Sequence, residues 1–417
     1  MTRLAVHRSP ASPRYRLAAG VERAPLRDLL ARAARPGVIS FAVGMPAQEL
    51  LPAAAMARAA AEVCAGDPRA LQYGLPSARL KSHVVDLMAR RGVDCRQEQV
   101  FLTTGAQQGM DLLARLLVRR GDEVLLEETI YDGMSLVLRQ RGARILTVPT
   151  SSVEGIDVEA VARVLAAGAR PAFLYVVPAG HNPLGVTLGV EVRRRLAALA
   201  RRYEVPVLED DAYGLLSYRE SAAPALRSFD ERWVFYLGSF SKILAPALRV
   251  GWIVVPEELQ APLTALKHLS DLDTATYGQR LLAAYLDGGD FSAHLERARS
   301  AYRERRDAML AALEKHFPGD DGGLRHPVVR WSHPTCGMYV WLEMTSEVDS
   351  TLLLGEAIER ESVAFSPGQV FAAAGGSAGW HALRLAFADA RPDAIAEGVA
   401  RLARALEAHR PALSLAS

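Results

Sequence analysis

Between about Asp67 and Pro256 the chain alternates short, β-branched apolar runs with longer stretches whose apolar residues recur at helical spacing. The runs predict strands at Glu123 to Leu126, Arg144 to Val148, Ala172 to Val177, Val205 to Glu209, Val234 to Gly238 and Gly251 to Val255. The longer stretches, such as Gln107 to Arg119 and Val190 to Arg202, predict amphipathic helices. Such alternation is the mark of a mostly parallel sheet covered by helices on both faces, because parallel neighbours need a crossover to join them. From Phe291 the pattern changes: Leu295, Ala298, Tyr302, Met309, Leu310 and Leu313 predict one long helix with arginine on its other side, and a second domain is expected to begin there. A strand-like run, Gly337 to Leu342, and a helix from Asp393 to Ala408 follow. Upstream, Leu26, Leu29 and Leu30 stand at helical spacing before Pro36-Gly37 breaks the pattern, and Gly375 to Gly379 reads as a loop.

Composition narrows the chemistry. The 417 residues are 50% hydrophobic and 23% charged, with 49 basic against 47 acidic side chains, enough for a large core in two domains. No stretch reaches the roughly 18 consecutive apolar residues of a membrane span. The N-terminal segment carries Arg3, His7, Arg8, Arg14 and Arg16 without an apolar centre, which argues against a secretory leader and for the cytoplasm. Cys64, Cys95 and Cys336 lie far apart and read as reduced, small hydrophobes rather than metal ligands. A net charge of +2 gathers no nucleic acid, and the basic run Arg193-Arg194-Arg195 with Arg201-Arg202 reads as a solvated helix face. Only Lys81, Lys242, Lys267 and Lys315 are lysines, so 45 of the 49 basic residues are arginine. A reaction that needs a primary amine has four side-chain candidates.

One of them has unusual neighbours. Lys242 follows an apolar strand in Gly238-Ser239-Phe240-Ser241-Lys242, with Arg249 seven residues on. A buried lysine lowers its cost by losing a proton, and the neutral amine attacks aldehydes. Ser239, Ser241 and Arg249 supply donors suited to a phosphate dianion. The segment resembles the cofactor-lysine motif of the pyridoxal-phosphate enzymes of the aspartate aminotransferase superfamily, and most of all that of the α-aminoadipate and kynurenine aminotransferases.

Further motifs of that family follow in order from Ile39 to Ala388. Thr103-Thr104-Gly105-Ala106-Gln107-Gln108 opens a helix whose free N–H groups favour an anion; by resemblance Gly105, Ala106 and Gln107 cradle the cofactor phosphate. Tyr131 corresponds to the aromatic residue that stacks on the pyridine ring, although alone it would read as a core tyrosine. Asn182 matches the asparagine that donates to the phenolic oxygen, and it also borders the substrate; His181 beside it reads as structural. Asp210 and Tyr213 end an apolar strand, where ligands of open α/β sheets bind. The resemblance gives Asp210 the pyridine nitrogen and Tyr213 the phenolic oxygen; Asp211 is a rival carboxylate, disfavoured by the spacing to Tyr213. Tyr73 resembles the tyrosine that reaches the phosphate from a partner subunit, which implies a homodimer. Arg384 matches the arginine that clamps the substrate carboxylate, though nothing local separates it from a surface arginine, and Gly44 belongs to the substrate loop.

The resemblance implies an α/β chain of the fold-type I transferase class. A large domain at 51–290 would hold a mostly parallel, seven-stranded sheet, with a smaller α+β domain at 291–417 joined by an N-terminal arm at 1–50. It implies pyridoxal 5'-phosphate bound to Lys242 as a Schiff base, and amino-group exchange between an α-amino acid and a 2-oxo acid. Four departures fall on the substrate side: Val43 and Met45 in the loop before Pro46, a shortened loop after Tyr73, Leu184 where threonine is usual, and Cys336 for a glycine. They leave room for a specialised metabolite, or for elimination, replacement or cyclisation on the same cofactor. A DNA-binding regulator with an aminotransferase-like domain is the remaining reading, disfavoured because only about 35 residues precede the domain.

Overall fold

Seven strands form the central sheet of the computed structural model, which describes residues 33, 35–220, 222–318, 328–344, 348–373 and 378–409. They are β1 (Val100–Thr103), β2 (Glu123–Glu127), β3 (Arg144–Val148), β4 (Leu174–Val176), β5 (Val207–Asp210), β6 (Val234–Ser239) and β7 (Gly251–Val254), in the order β1-β7-β6-β5-β4-β2-β3. Strands β2 to β6 run parallel. Strand β7 alone is reversed, pairing antiparallel with β6 and β1. Neighbouring residues along a strand enter opposite layers: Leu126, Tyr175, Leu208 and Leu237 pack into one, Leu125, Leu174, Val207 and Val234 into the other. Burial on both faces is why these strands read as continuous apolar runs rather than alternating ones.

A second, antiparallel sheet holds β8 (Val328–Trp331), β9 (Tyr339–Met344), β10 (Ser366–Pro367) and β11 (Ala382–Ala386), in the order β8-β9-β11-β10. Its register sets Arg384 opposite Trp341 on one side and Ser366 on the other. The helices Asp290–His316 and Pro392–His409 pack together behind it. The two residues Ile39–Ser40 pair parallel with Val363–Ala364, which ties the chain upstream of the large sheet to the C-terminal layer. Leu26, Leu29, Leu30 and Gly375 to Ser377 lie outside the described residues. No helix among the described residues is long and apolar enough to cross a membrane.

The basic run on helix Val190–Tyr203 departs from the expected solvated face. Arg194 and Arg195 are exposed and ion-paired with Glu191 and Glu159. Arg193 is wholly buried, 3.7 Å from Glu209, and donates to the carbonyls of Leu188 at 3.0 Å and Pro224 at 3.1 Å. The spacing held a signal for this: Arg193 shares one helical stripe with buried Leu196, Ala197 and Ala200. Strand β1 is also additional to the strands expected from the pattern.

Candidate active site

The carboxyl ends of the parallel strands meet the second sheet around a cavity of about 320 Å³, where open α/β sheets hold their ligands. At the end of β6, Ser239 accepts the Ser241 N–H at 3.1 Å and so caps a single helical turn, Phe240–Ile243. That turn brings Lys242 to the cavity wall, where its Nζ donates to the Gly44 carbonyl at 2.7 Å. On the same side, Arg249 adopts a left-handed backbone at φ 52° and donates to Ser241 Oγ at 3.4 Å and the Pro246 carbonyl at 3.3 Å. Its guanidinium lies over Gly105, whose φ is 80° and where a Cβ would stand 2.7 Å from Arg249 Nη2. Gly105 starts the helix Ala106–Leu117, whose first N–H groups have no partner within the helix. Ala106, Gln107, Ser239 and Ser241 line this end of the cavity with Arg249, while Gly105 sits just behind them. Tyr131 is held there by its OH donating to Gln107 Oε1 at 3.2 Å, and burial pushes its phenol above the ordinary range.

Three consecutive acids at the end of β5 have three different surroundings. Glu209 accepts the backbone N–H groups of Leu226 at 2.7 Å and Arg227 at 2.8 Å, and burial pushes its carboxyl above the ordinary range. Asp211 pairs with Arg91 at 2.8 Å and accepts from Tyr236 at 3.0 Å, away from the cavity. Asp210, between them, lines the cavity. Its Oδ2 accepts from Tyr175 at 2.6 Å, whereas its Oδ1 is buried without a partner. Burial pushes this carboxyl up to about 6 against the opposing effect of the Tyr175 hydrogen bond.

At the opposite wall Arg384 donates to Asn182 Oδ1 at 2.6 Å, the Ala42 carbonyl at 2.6 Å and Ser366 Oγ at 3.1 Å. The guanidinium lies 4.4 Å from the Tyr339 ring centroid and 4.7 Å from that of Phe371. Tyr213 and Tyr339 exchange a hydrogen bond between their hydroxyls at 3.1 Å, and burial holds the Tyr213 phenol well above its ordinary value. Gly44 leaves room for this pair, since a Cβ there would collide with the Tyr339 ring. His181 is buried 3.3 Å from Glu127, behind the wall.

The cavity thus collects every sequence candidate except Gly105, one layer back, and Tyr73. Tyr73 is 85% exposed and lies on a different concavity with Leu75, Lys81 and Lys267. Sequence reasoning missed Tyr175, Tyr339, Phe371, Ser366 and Asp132. Tyr175 and Tyr339 fall inside the apolar strand runs Ala172 to Val177 and Gly337 to Leu342, and the others carry no local signature. Of the departures noted above, Val43 lines the cavity. Leu184 packs behind it with Trp341 and Phe371, and Cys336 donates its thiol to the Tyr213 carbonyl at 3.0 Å. Among the described residues no three His, Cys, Asp or Glu side chains gather as metal ligands would.

These residues fit pyridoxal phosphate. The partnerless Asp210 oxygen suits a protonated ring nitrogen, and the glycine-floored recess between Arg249 and the helix start suits a phosphate. The family model for aminotransferase class I and II matches residues 36–402. A 2-aminoadipate transaminase of Thermus thermophilus is 39% identical over 394 residues, 93% of this chain and 94% of the relative. The aromatic-amino-acid aminotransferase 1 of Thermococcus litoralis is 32% identical over 399 residues, 94% of this chain and 93% of that one. The crystal structure of the α-aminoadipate aminotransferase LysN from Thermus thermophilus, complexed with N-(5'-phosphopyridoxyl)-L-leucine, superposes with a TM-score of 0.85 at 38% identity, over 94% of this chain and 97% of that one. With the cavity built as it is, the chain belongs to the class I and II aminotransferases, fold-type I enzymes that use pyridoxal phosphate to move an amino group between an amino acid and a 2-oxo acid.

Proposed function

We propose that Lys242 carries the cofactor and moves the substrate's α-proton in this aminotransferase. The observation that carries this reading is the pairing, in one cavity, of a half-buried lysine amine with a buried carboxylate oxygen that has no partner of its own. Pyridoxal phosphate, once bound, supplies the aldehyde and the protonatable ring that accepts the electrons of a broken Cα–H bond. Asp210 Oδ1 holds the ring N–H, while Tyr175 fixes the other oxygen. Asn182 and Tyr213 serve the phenolic oxygen, and Tyr131 covers a ring face. Gly105, Ala106, Gln107, Ser239, Ser241 and Arg249 hold the phosphate. Arg384 offers a planar fork to the α-carboxylate, a geometry that an ammonium lacks. Gly44, whose carbonyl accepts from Lys242, borders the substrate. Lys242 then takes the proton from Cα, holds it, and returns it, the work of a general base turned acid.

Given an amino donor and no acceptor, the enzyme is expected to release one equivalent of 2-oxo acid per site and stop until a 2-oxo acid is added. Continued turnover with release of ammonia would instead favour elimination on the same cofactor. Stopped assays with quantified oxo acid and ammonia decide between them.

A homodimer with shared sites is part of the same proposal. Tyr73, Leu71 and Leu75 are 85%, 73% and 90% exposed, an apolar projection rare on a solvated face. In the proposed assembly it reaches the phosphate of a second copy. Light scattering is expected to give twice the chain mass, and a fully active monomer would refute the arrangement. The reading also takes residues 1–50 as an arm on the small domain 291–417, supported by the pairing of Ile39–Ser40 with Val363–Ala364, and 51–290 as the large domain. We place the enzyme in the cytoplasm, where its free cysteines would stay reduced, as cell fractionation can test.

A further inference from the structure

Five charged side chains line the cavity among the described residues: Asp132, Asp210, Lys242, Arg249 and Arg384. Four have work in the proposed function, at the ring nitrogen, the aldehyde, the phosphate and the α-carboxylate. Asp132 has none, and no cation is left over to meet a second carboxylate on a substrate side chain.

The position of Asp132 is fixed by the backbone. The segment after β2 is stitched to the segment after β10: Ile130 N–H donates to the Phe371 carbonyl at 2.9 Å, Ala373 N–H donates to the Glu128 carbonyl at 3.0 Å, and Thr129 bridges Ala372. Asp132 then opens the helix Asp132–Arg141 beside Tyr131. The cations that favour its charged form are Arg384 and, more weakly, Arg139 on its own helix. The stitch sets this segment beside Phe371, whose ring centroid lies 4.7 Å from the Arg384 guanidinium, so Asp132 lines the cavity on the side that faces the substrate clamp. Burial outweighs Arg384 and its own backbone hydrogen bonds and holds the carboxyl above its ordinary range, a sign that a favourable counter-charge is wanting.

We infer that Asp132 sets the substrate class: it recognises an amino acid whose side chain carries a positive charge or a strong hydrogen-bond donor, and it repels one that ends in a carboxylate. This rests on the reading that Arg384 holds the α-carboxylate, for that contact leaves the side chain to be met by the remaining wall. Val43, Tyr339 and Phe371 supply apolar and aromatic surface along that wall, suited to the methylenes and to the cation itself. A side-chain carboxylate would be brought near Asp132 into partly desolvated surroundings, where like charges repel with little screening.

The holoenzyme is titrated calorimetrically with α-methylornithine, α-methylleucine and α-methylglutamate, which bind but have no α-proton to lose. The wild type is expected to bind α-methylornithine about tenfold or more tighter than α-methylglutamate, as for a charge-assisted hydrogen bond. Asp132→Asn should bring the two within about threefold, leave α-methylleucine nearly unchanged, and lose the ordering that Asp132→Glu retains. A residue that served only to start its helix would shift all three ligands together. A wild-type preference for α-methylglutamate, or an unchanged ratio in Asp132→Asn, overturns the inference. In Arg384→Lys all three should weaken alike. If they do not, while Asp132→Asn still changes the order, the carboxylate role of Arg384 falls and the role of Asp132 stands.

Discussion

Replacing Lys242 by alanine is expected to lower turnover by about 10⁴-fold or more, because both covalent attachment and proton transfer depend on its amine. Borohydride treatment of the wild-type holoenzyme should fix the cofactor to the peptide that contains Lys242, and mass spectrometry should find no such adduct in the variant. The fold should survive, since the side chain's hydrogen bond goes to one backbone carbonyl, that of Gly44. The other lysines are poor substitutes. Lys267 is buried in an ion pair with Asp271 at 3.0 Å, and Lys315 is exposed near the end of its helix. Lys81 is the instructive rival, because burial lowers its ammonium below the ordinary range. It lies beside Tyr73 on the other concavity, where the acid on the wall is Asp273, whose Oδ1 accepts the Thr274 N–H at 2.7 Å. An adduct on Lys81, or a persisting adduct in Lys242→Ala, would defeat the assignment.

Asp210→Asn should separate activity from stability. Burial raises this carboxyl from 3.8 to about 6 in the cofactor-free protein. A raised folded value means that the folded state binds the proton more tightly than the unfolded chain does. The cofactor-free wild type is therefore destabilised once pH exceeds about 6, and the penalty fades as pH falls toward about 4. Asparagine keeps an acceptor for Tyr175 and removes the charge. The cofactor-free variant is expected to be more stable at pH about 8, by on the order of 1–3 kcal/mol, with the gap closing toward pH about 4. With cofactor bound the sign reverses: without the carboxylate the ring nitrogen loses its counter-charge, and kcat should drop by about 10²–10³-fold. Thermal melts of cofactor-free protein across pH, set beside turnover, check both halves. A variant less stable at every pH would show that burial is not what governs Asp210.

The central sheet was legible because buried parallel strands write themselves as unbroken apolar runs, as in Val234 to Gly238, which the structure extends by one residue to Ser239 and buries throughout. Strand β1 was not, for it spans four residues, Val100–Thr103, directly after a polar turn at Gln97–Gln99. Arg193 was misjudged for a related reason. Its neighbours are solvated, and its burial depends on Glu209 and on carbonyls distant along the chain, which a local charge run does not report. In the cavity, residues bound to a motif could be named: Lys242, Asp210, Asn182 and Arg249. Tyr339, Tyr175 and Asp132 could not. Each takes its place from pairing between segments far apart in the sequence, such as the stitch from Ile130 to Phe371.

The end of β5 bears on how this protein can change over generations. Glu209, Asp210 and Asp211 are chemically near alike, yet each is matched to its own surroundings: two backbone amides, an open cavity, and the guanidinium of Arg91. Successive strand residues face opposite ways, so inserting or deleting one residue in β5 would turn the wrong acid to the cavity and leave Arg91 without its match. A single substitution here disturbs one of these matches at a time, and at Asp210 it removes a group that the cavity uses. A change in its length alters all three acids at once, so lineages of this enzyme should keep the length of β5 even where residues other than Asp210 vary.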